Sequence, residues 1–405
     1  MKSTVLEPAD STEAVPWWHS ALGFGGLAAL LVWLGVVNPW MLVFVVGIIV
    51  SVFLHEVGHF VTARRSGMKV TQFFIGFGPR LWSTRRGEVE YGVRLLPLGA
   101  FVRIIGMNNL DEVDPADEAR TYRQQRFGRR LLVVSAGSLM HAILAVVLLV
   151  GVYATVGPLG ETGKVTVTTV AASSPAEVAG LQQGDRIVSL DGVAVTSRRQ
   201  LVDTIQQRRP GERLDVALDR RGERLVLEVG LGSNPHAGLE GVAYLGVASD
   251  SMGRERAGIP TAVGRGVHDL GLGVWDSIRG VVIVLNPVNV VRHVAGTADD
   301  ITTRPTTLVG ATQVSGSVGE RDGIAGVITV LAAVNIFVGV INMAPLLPLD
   351  GGHASIVIYE RLRSRRGRRY EADVSKMMPV ATAVITLLGL LLLAGLYLDI
   401  TQPLG

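Results

Sequence analysis

The chain has 405 residues, of which 48% are hydrophobic and only 18% charged. That is well under the roughly 25% charge of ordinary soluble domains, so a wholly soluble protein is disfavoured and membrane helices carrying a soluble part are expected. The absence of cysteine excludes disulfides and thiolate metal ligands, and the small net charge of +3 sits in short basic loops beside apolar runs, which sets topology and speaks against nucleic-acid binding.

Residues 1–20 form a polar tail. Glu7, Asp10 and Glu13 give it no positive n-region, so the first apolar run should stay in the mature protein. Ala21 to Val37 is that run. It is short for a span, reads as an additional transmembrane helix or a re-entrant arm, and ends at the breaker pair Asn38-Pro39. Residues 41–63 follow as about 23 mostly apolar positions, enough to cross a bilayer of roughly 30 Å. Arg64-Arg65 and Lys69 mark its cytoplasmic end.

Residues 66–130 lose the helical pattern. Val70 to Phe77, Val89 to Leu96 and Ala100 to Ile105 read as short strands broken by glycine and proline, and Asp111 to Arg130 reads as a surface loop or helix. A span at 131–156 is entered from Arg129-Arg130. Residues 160–250 then turn to soluble α/β character, with strands at 165–170, 213–219 and 224–229 and a helix at 198–208. Within 251–322, Val267 to Val291 is apolar but carries Asp269, Asp276 and Arg279, which suits an amphipathic helix on the membrane surface, and Ala295 to Gly323 reads as loop. A further span covers 324–350, a basic loop 351–375 carries six arginines between 361 and 369, and the last span is 377–398.

The chemistry concentrates in two places. His55, Glu56 and His59 form an HExxH motif inside the 41–63 span. Residues four apart share a helix face, so both imidazoles can reach one metal, with Glu56 beside them to take a proton from water. One ionisable group at the centre of such a helix costs roughly 2.5–3.5 kcal/mol on the gentlest scale, and three within five residues require compensation that a metal supplies. Two histidines leave zinc short of a third protein ligand. The best candidate is Asp350, in Asn342-Met-Ala-Pro345-Leu-Leu-Pro348-Leu-Asp350-Gly-Gly-His353, where it is read as ending the 324–350 span. Pro345 and Pro348 would open that helix, which membrane proteins tolerate only where protein or a cavity satisfies the freed backbone.

These two motifs, in this order, resemble the site-2 protease family of intramembrane zinc metalloproteases. Gly76-Phe-Gly-Pro-Arg-Leu-Trp82 and Tyr91 to Ala100 resemble that family's membrane-associated β-hairpin, and Leu181 to Gly192 is similar to bacterial PDZ domains, which the family often inserts between its motif-bearing spans. The fold implied is a polytopic α-helical membrane protein with an inserted extracytoplasmic α/β PDZ-like domain and a membrane-associated β-hairpin. The resemblance implies one Zn²⁺ held by His55, His59 and Asp350, Glu56 as catalytic base, and Asn342 as a group that positions substrate or stabilises an oxyanion. The strands around Gly99 and Phe101 would bind an unwound substrate segment as an added strand. Leu245 and Gly246 would belong to a peptide-binding loop of the PDZ-like domain. The family's Ala-Gly-Pro-x-x-Asn pattern stands here as Ala136-Gly137-Ser138-Leu139-Met140-His141, a departure that leaves polar substrate contacts there open.

The expected activity is hydrolysis of peptide bonds in or near transmembrane segments of single-pass membrane proteins, such as membrane-bound anti-sigma factors already trimmed by another protease. The lipid bilayer would be its other partner, with no nucleic acid. The PDZ-like domain would admit trimmed substrates and exclude large ectodomains. Two other classes stay open: a PDZ-bearing membrane scaffold, which leaves Glu56 unexplained, and a zinc transporter, which would need metal-binding groups along a path.

Overall fold

The structure is a computed structural model that describes residues 17–107, 110–236, 238–298, 300–364 and 370–404. Contacts divide the chain into two compact units, Met1–Gly151 with Pro260–Gly405, and Val152–Ile259.

Helix α1 (Trp17–Val37) is followed at once by α2 (Pro39–Arg65). Asn38 starts α2: its side-chain oxygen accepts from the N–H groups of Trp40 at 2.9 Å and Met41 at 3.2 Å, and Pro39 occupies the first turn, where its missing N–H costs nothing. Arg64 and Arg65 lie in the last turn, where positive charge suits the helix dipole.

Strands β1 (Val70–Arg86) and β2 (Val89–Ile104) then pair antiparallel. Their register shows four segments. Residues 70–75 pair on one side with 100–104 and on the other with 90–93, and the latter pair also with 82–85. Sequence reading places three of these and misses 80–86. Gly76 and Gly78 do not end the strand there, because their positive φ of 90° and 82° lets the chain bulge and continue. Among the described residues, Ala100 to Ile104 is an edge segment, paired only with β1. Helix α3 (Phe127–Thr155) completes this part of the unit.

The second unit contains β3 (Leu159–Val170), α4 (Pro175–Val178), β4 (Arg186–Leu190), β5 (Val193–Ala194), α5 (Arg198–Gln206), β6 (Arg213–Arg220), β7 (Glu223–Gly230), β8 (Gly232–Ser233), β9 (Ala243–Tyr244) and β10 (Val247–Arg254). Its main sheet runs β10-β3-β4-β6-β7, antiparallel throughout, with β5 against β4. Val165, Ile187, Leu190, Leu201, Leu214 and Leu218 form its core. Asp185, buried, accepts two hydrogen bonds from the Arg220 guanidinium at 2.7 Å each, which ties the start of β4 to the end of β6.

The chain returns through α6 (Ile259–Val284) and α7 (Pro287–Val294), bent by 68° at the break before Pro287. Helix α8 covers Leu308–Asn342 in two parts, broken at Gly323, whose φ of 63° and ψ of −153° are not helical; α9 spans Asp350–Arg363 and α10 Met378–Thr401. Three expectations are corrected here. Residues 308–322 are helix and not loop: the Thr307 side chain caps the Val309 N–H, and Asp399 of α10 adds a long-range cap, accepting from the N–H groups of Thr307 and Gly310 and forming a buried pair with Arg304. The span read as 324–350 ends at Asn342, because Pro345 and Pro348 bring no N–H and the chain turns before Asp350. The basic loop 351–375 is helical as far as Arg363, while its arginines at 365–369 lie outside the described residues.

Among the described residues, four helices are long and apolar enough to cross a membrane: Pro39–Arg65, Phe127–Thr155, Leu308–Asn342 and Val374–Thr401. The bent α6–α7 pair would be a fifth, and Gly25–Val37 of α1 is a shorter apolar stretch. Helix α2 and the 324–342 part of α8 run parallel: Leu331 packs at Gly47 and Asn335 donates to Ser51, while ahead of the break at Gly323 Asn38 donates to Glu320. Helix α3 runs antiparallel to α2, with Val133 against His59 and Gly137 against His55.

Candidate metal centre

His55 and His59 lie on one face of α2, 8% and 9% exposed, with their Nε2 atoms 3.2 Å apart. Asp350 Oδ2 lies 3.4 Å from Nε2 of His55 and 3.2 Å from Nε2 of His59. For ligands about 2.0–2.1 Å from zinc, a tetrahedron has edges of roughly 3.3 Å. The three measured edges fit that size. Asp350 Oδ2 is also buried without a well-directed hydrogen-bond donor, as a carboxylate oxygen meant for a cation would be. His55, His59 and Asp350 can therefore hold one metal ion, and nitrogen and carboxylate donors suit zinc.

Each ligand is placed by its surroundings. His59 Nδ1 lies 2.7 Å from the Val133 carbonyl of α3. A carbonyl only accepts, so Nδ1 carries the proton and Nε2 keeps its lone pair for the centre. Asp350 opens α9, and the two glycines after it permit the fold-back: a Cβ on Gly351 would overlap the Met343 and Ala344 backbone, and one on Gly352 would lie 2.6 Å from the Leu347 nitrogen. Further along α9, Glu360 pairs with Arg130 of α3 at 2.7 Å, both buried, and accepts the Ala372 N–H at 2.9 Å. Arg130 also lies over the Tyr122 ring, 4.9 Å from its centroid. Sequence reading takes Arg130 as a topology signal, whereas the structure makes it the clasp between α3 and the helix that delivers Asp350.

Glu56 lies beside the ligands, its carboxylate 3.9 Å from His55 Nε2, with the Val102 backbone amide of the β2 edge facing it. Gly137 is the closest wall. A Cβ there would come within 2.5 Å of Nε2 of His59 and at least as near His55. His141, with its ring 5.0 Å from that of His55, meets Asn335 Oδ1 at 2.7 Å. Asn335 in turn donates to Ser51 and to the Leu331 carbonyl. Because the Asn335 amide nitrogen is donating, its oxygen accepts from His141 Nδ1, leaving His141 Nε2 as an acceptor.

The remaining candidates are more dispersed. Asn342 is the last residue of α8 and half-buried. Gly99 packs under the Phe77 ring, and Phe101 stacks on Phe74 at 5.5 Å between centroids, with Arg94 over both Phe74 and Phe101. In the second unit the Leu245 side chain is core, and the carbonyls of Leu245 and Gly246 accept from Ala176 and Ala171, so only backbone atoms of that loop could meet a peptide. Gly137, Val133, Asn335 and Arg130 escape sequence reading. Only Gly137, inside the Ala-Gly-Ser pattern, carries a visible signal.

The Peptidase family M50 profile matches residues 43–386. The chain belongs to the M50 peptidase family. It is 31% identical over 398 residues to "Zinc metalloprotease Rip1" of Mycobacterium tuberculosis, covering 90% of this chain and 97% of that protein. It is 30% identical over 401 residues to the protein of the same name in Mycolicibacterium smegmatis, covering 90% and 98%. A solved PDZ domain of an SdrC-like protein from Listeria monocytogenes aligns with 21% of this chain and 85% of its own, at 24% identity and a TM-score of 0.19. The M50 chain is a zinc metalloprotease of the site-2 type, with several helices able to span a membrane.

Proposed function

We propose that this M50 protease hydrolyses peptide bonds in or near the transmembrane segments of single-pass membrane proteins, with His55, His59 and Asp350 as zinc ligands and Glu56 as the base. The observation that carries this reading is the convergence, at 3.2–3.4 Å, of two imidazoles from a helix apolar enough to span a bilayer with the Asp350 carboxylate of α9, beside the Glu56 carboxylate. Zinc held there supplies Lewis acidity and makes a bound water more acidic. Glu56 takes the proton of the attacking water and returns it to the leaving amine. Asn342, at the end of the helix parallel to α2, donates to the carbonyl oxygen as it gains charge.

A helical substrate ties up its carbonyls in i to i−4 bonds and must unwind before attack. The edge segment Ala100 to Ile104 supplies replacement backbone partners by strand addition, and its Val102 amide already faces Glu56. Gly99 and Phe101 mark the surface on which that added strand lies. Positive charge at Arg64-Arg65 and Arg129 supports a cytoplasmic side for the catalytic ends of α2 and α3, and on this reading residues 152–259 are an extracytoplasmic PDZ-like module that selects pre-trimmed partners, with the Leu245-Gly246 loop as its peptide contact.

The test is cleavage of a single-pass reporter in reconstituted vesicles, with the products mapped by mass. The reading expects a cut within or beside the apolar segment that stops when zinc is chelated. Cuts confined to soluble loops, or cleavage indifferent to chelation, would contradict it.

A further inference from the structure

Between α3, α6 and the last turns of α8 lies a cavity of about 540 Å³, within the roughly 300–1,000 Å³ range of sites that take a ligand. Its walls are Leu270, Val274 and Ile278 of α6, Ile336 and Gly339 of α8, and Ala142 of α3, among other apolar groups. Its two polar lining residues are Ser138 and Asn335. Asn335 is committed, holding His141, Ser51 and the Leu331 carbonyl. Ser138 is not. It is 8% exposed, and its hydroxyl has no hydrogen-bond partner. Several other helical hydroxyls in this unit bond back to the carbonyl four residues earlier, as Ser51 does to Gly47 and Ser277 to Gly273, whereas Ser315 of α8 shares with Ser138 a buried hydroxyl without a partner but does not line this cavity. Ser138 directly follows Gly137, whose backbone abuts both metal-site imidazoles.

We propose that Ser138 is a substrate-positioning residue, and that this cavity receives apolar side chains of the unwound transmembrane segment while the Ser138 hydroxyl pairs with one of its freed backbone groups. The inference rests on the intramembrane protease reading. Unwinding a helix in an apolar medium frees N–H and C=O groups that must find partners. A serine hydroxyl can donate or accept, so it serves either kind. The occupant is a peptide and not a lipid acyl chain, because an acyl chain would leave the hydroxyl unpaired.

The absence of cysteine makes an introduced thiol unique. The test places Ser138→Cys in the full-length Glu56→Gln protein, reconstituted in vesicles. The probe is a synthetic single-pass segment of about 22 apolar residues with a central Gly-Asn break, carrying one cysteine at successive positions. Oxidation should join Ser138→Cys to one or two neighbouring positions near the bond that the unsubstituted enzyme cuts. Leu139→Cys, at a position 53% exposed on the helix surface, serves as control and should not share that pattern. In the otherwise unsubstituted enzyme, Ser138→Ala should raise KM or lower kcat for this probe between about two- and tenfold, the scale of one hydrogen bond. Zinc content should stay at the unsubstituted level, and Ser138→Thr should recover most of the loss. No crosslink, or one no more selective than that of Leu139→Cys, together with full turnover by Ser138→Ala, would overturn the assignment and leave the protease reading standing. Failure of the unsubstituted enzyme to cut the probe at all would overturn both.

Discussion

Gly137→Ala is the smallest change that should disable the metal centre without touching a ligand. The added methyl would come within 2.5 Å of Nε2 of His59, and at least as close to the His55 ring, against ordinary carbon contacts of about 3.5–4.0 Å. Relief needs the imidazoles or the α3 backbone to move by about 1 Å. Zinc tolerates ligand errors of only about 0.2 Å, and α3 is not free to retreat, because Val133 holds His59 and Arg130 holds α9. Overpacking of this kind costs typically about 1–3 kcal/mol. Charged against metal binding, that is roughly a 5- to 150-fold weaker site. The assay is zinc content after dialysis against a graded chelator series, alongside reporter cleavage in vesicles. Gly137→Ala should lose zinc at lower chelator than the unsubstituted protein and lose cleavage in parallel. Full occupancy with full turnover would refute the packing argument and the ligand geometry behind it.

His55→Ala, His59→Ala and Asp350→Ala should each lower zinc content and abolish cleavage, measured by metal analysis and product formation. Arg130→Met should lower the unfolding midpoint in detergent, because removing one partner of a buried pair costs about 3–5 kcal/mol, and Arg130→Met with Glu360→Leu should recover part of it. Ala100→Pro should reduce cleavage with zinc unchanged if the β2 edge holds substrate, since proline deletes a ladder donor; equal turnover would argue against strand addition. In the second unit, hydrogen bonds from Arg220 hold the Asp185 carboxyl below the usual carboxylate range. The stabilisation is therefore full above the unfolded-state carboxylate pKa and is lost as pH falls through the lower folded value. Asp185→Asn should speed hydrogen exchange in β4 and β6 at neutral pH, with the difference vanishing toward strong acid.

The clustering of His55 and His59 was legible because helix periodicity puts them on a shared face, and because three ionisable groups inside an apolar run demand a reason. Asp350 was legible as a ligand candidate but its setting was not. Apolar composition runs on through Leu346 and Leu347, so pattern alone extends the helix, whereas Pro345 and Pro348 end it and Gly351 and Gly352 fold α9 back. The helical character of 308–322 was hidden for a different reason. Glycine, serine and threonine favour loops locally, and much of what offsets this comes from Asp399, 92 and 89 residues away from the Thr307 and Gly310 amides it caps, in addition to the local Thr307 cap. The Arg130–Glu360 clasp is likewise a long-range pairing that neither short segment announces.

The central claim is that Glu56 moves the proton while the two histidines and Asp350 hold the metal. Turnover of a membrane-embedded reporter by purified Glu56→Gln protein tests it most directly, with zinc measured on the same sample. The account predicts about one zinc per chain and a loss of at least roughly 10²–10⁴-fold in cleavage, the usual contribution of a general base. Cleavage at the unsubstituted rate by zinc-loaded Glu56→Gln would contradict it.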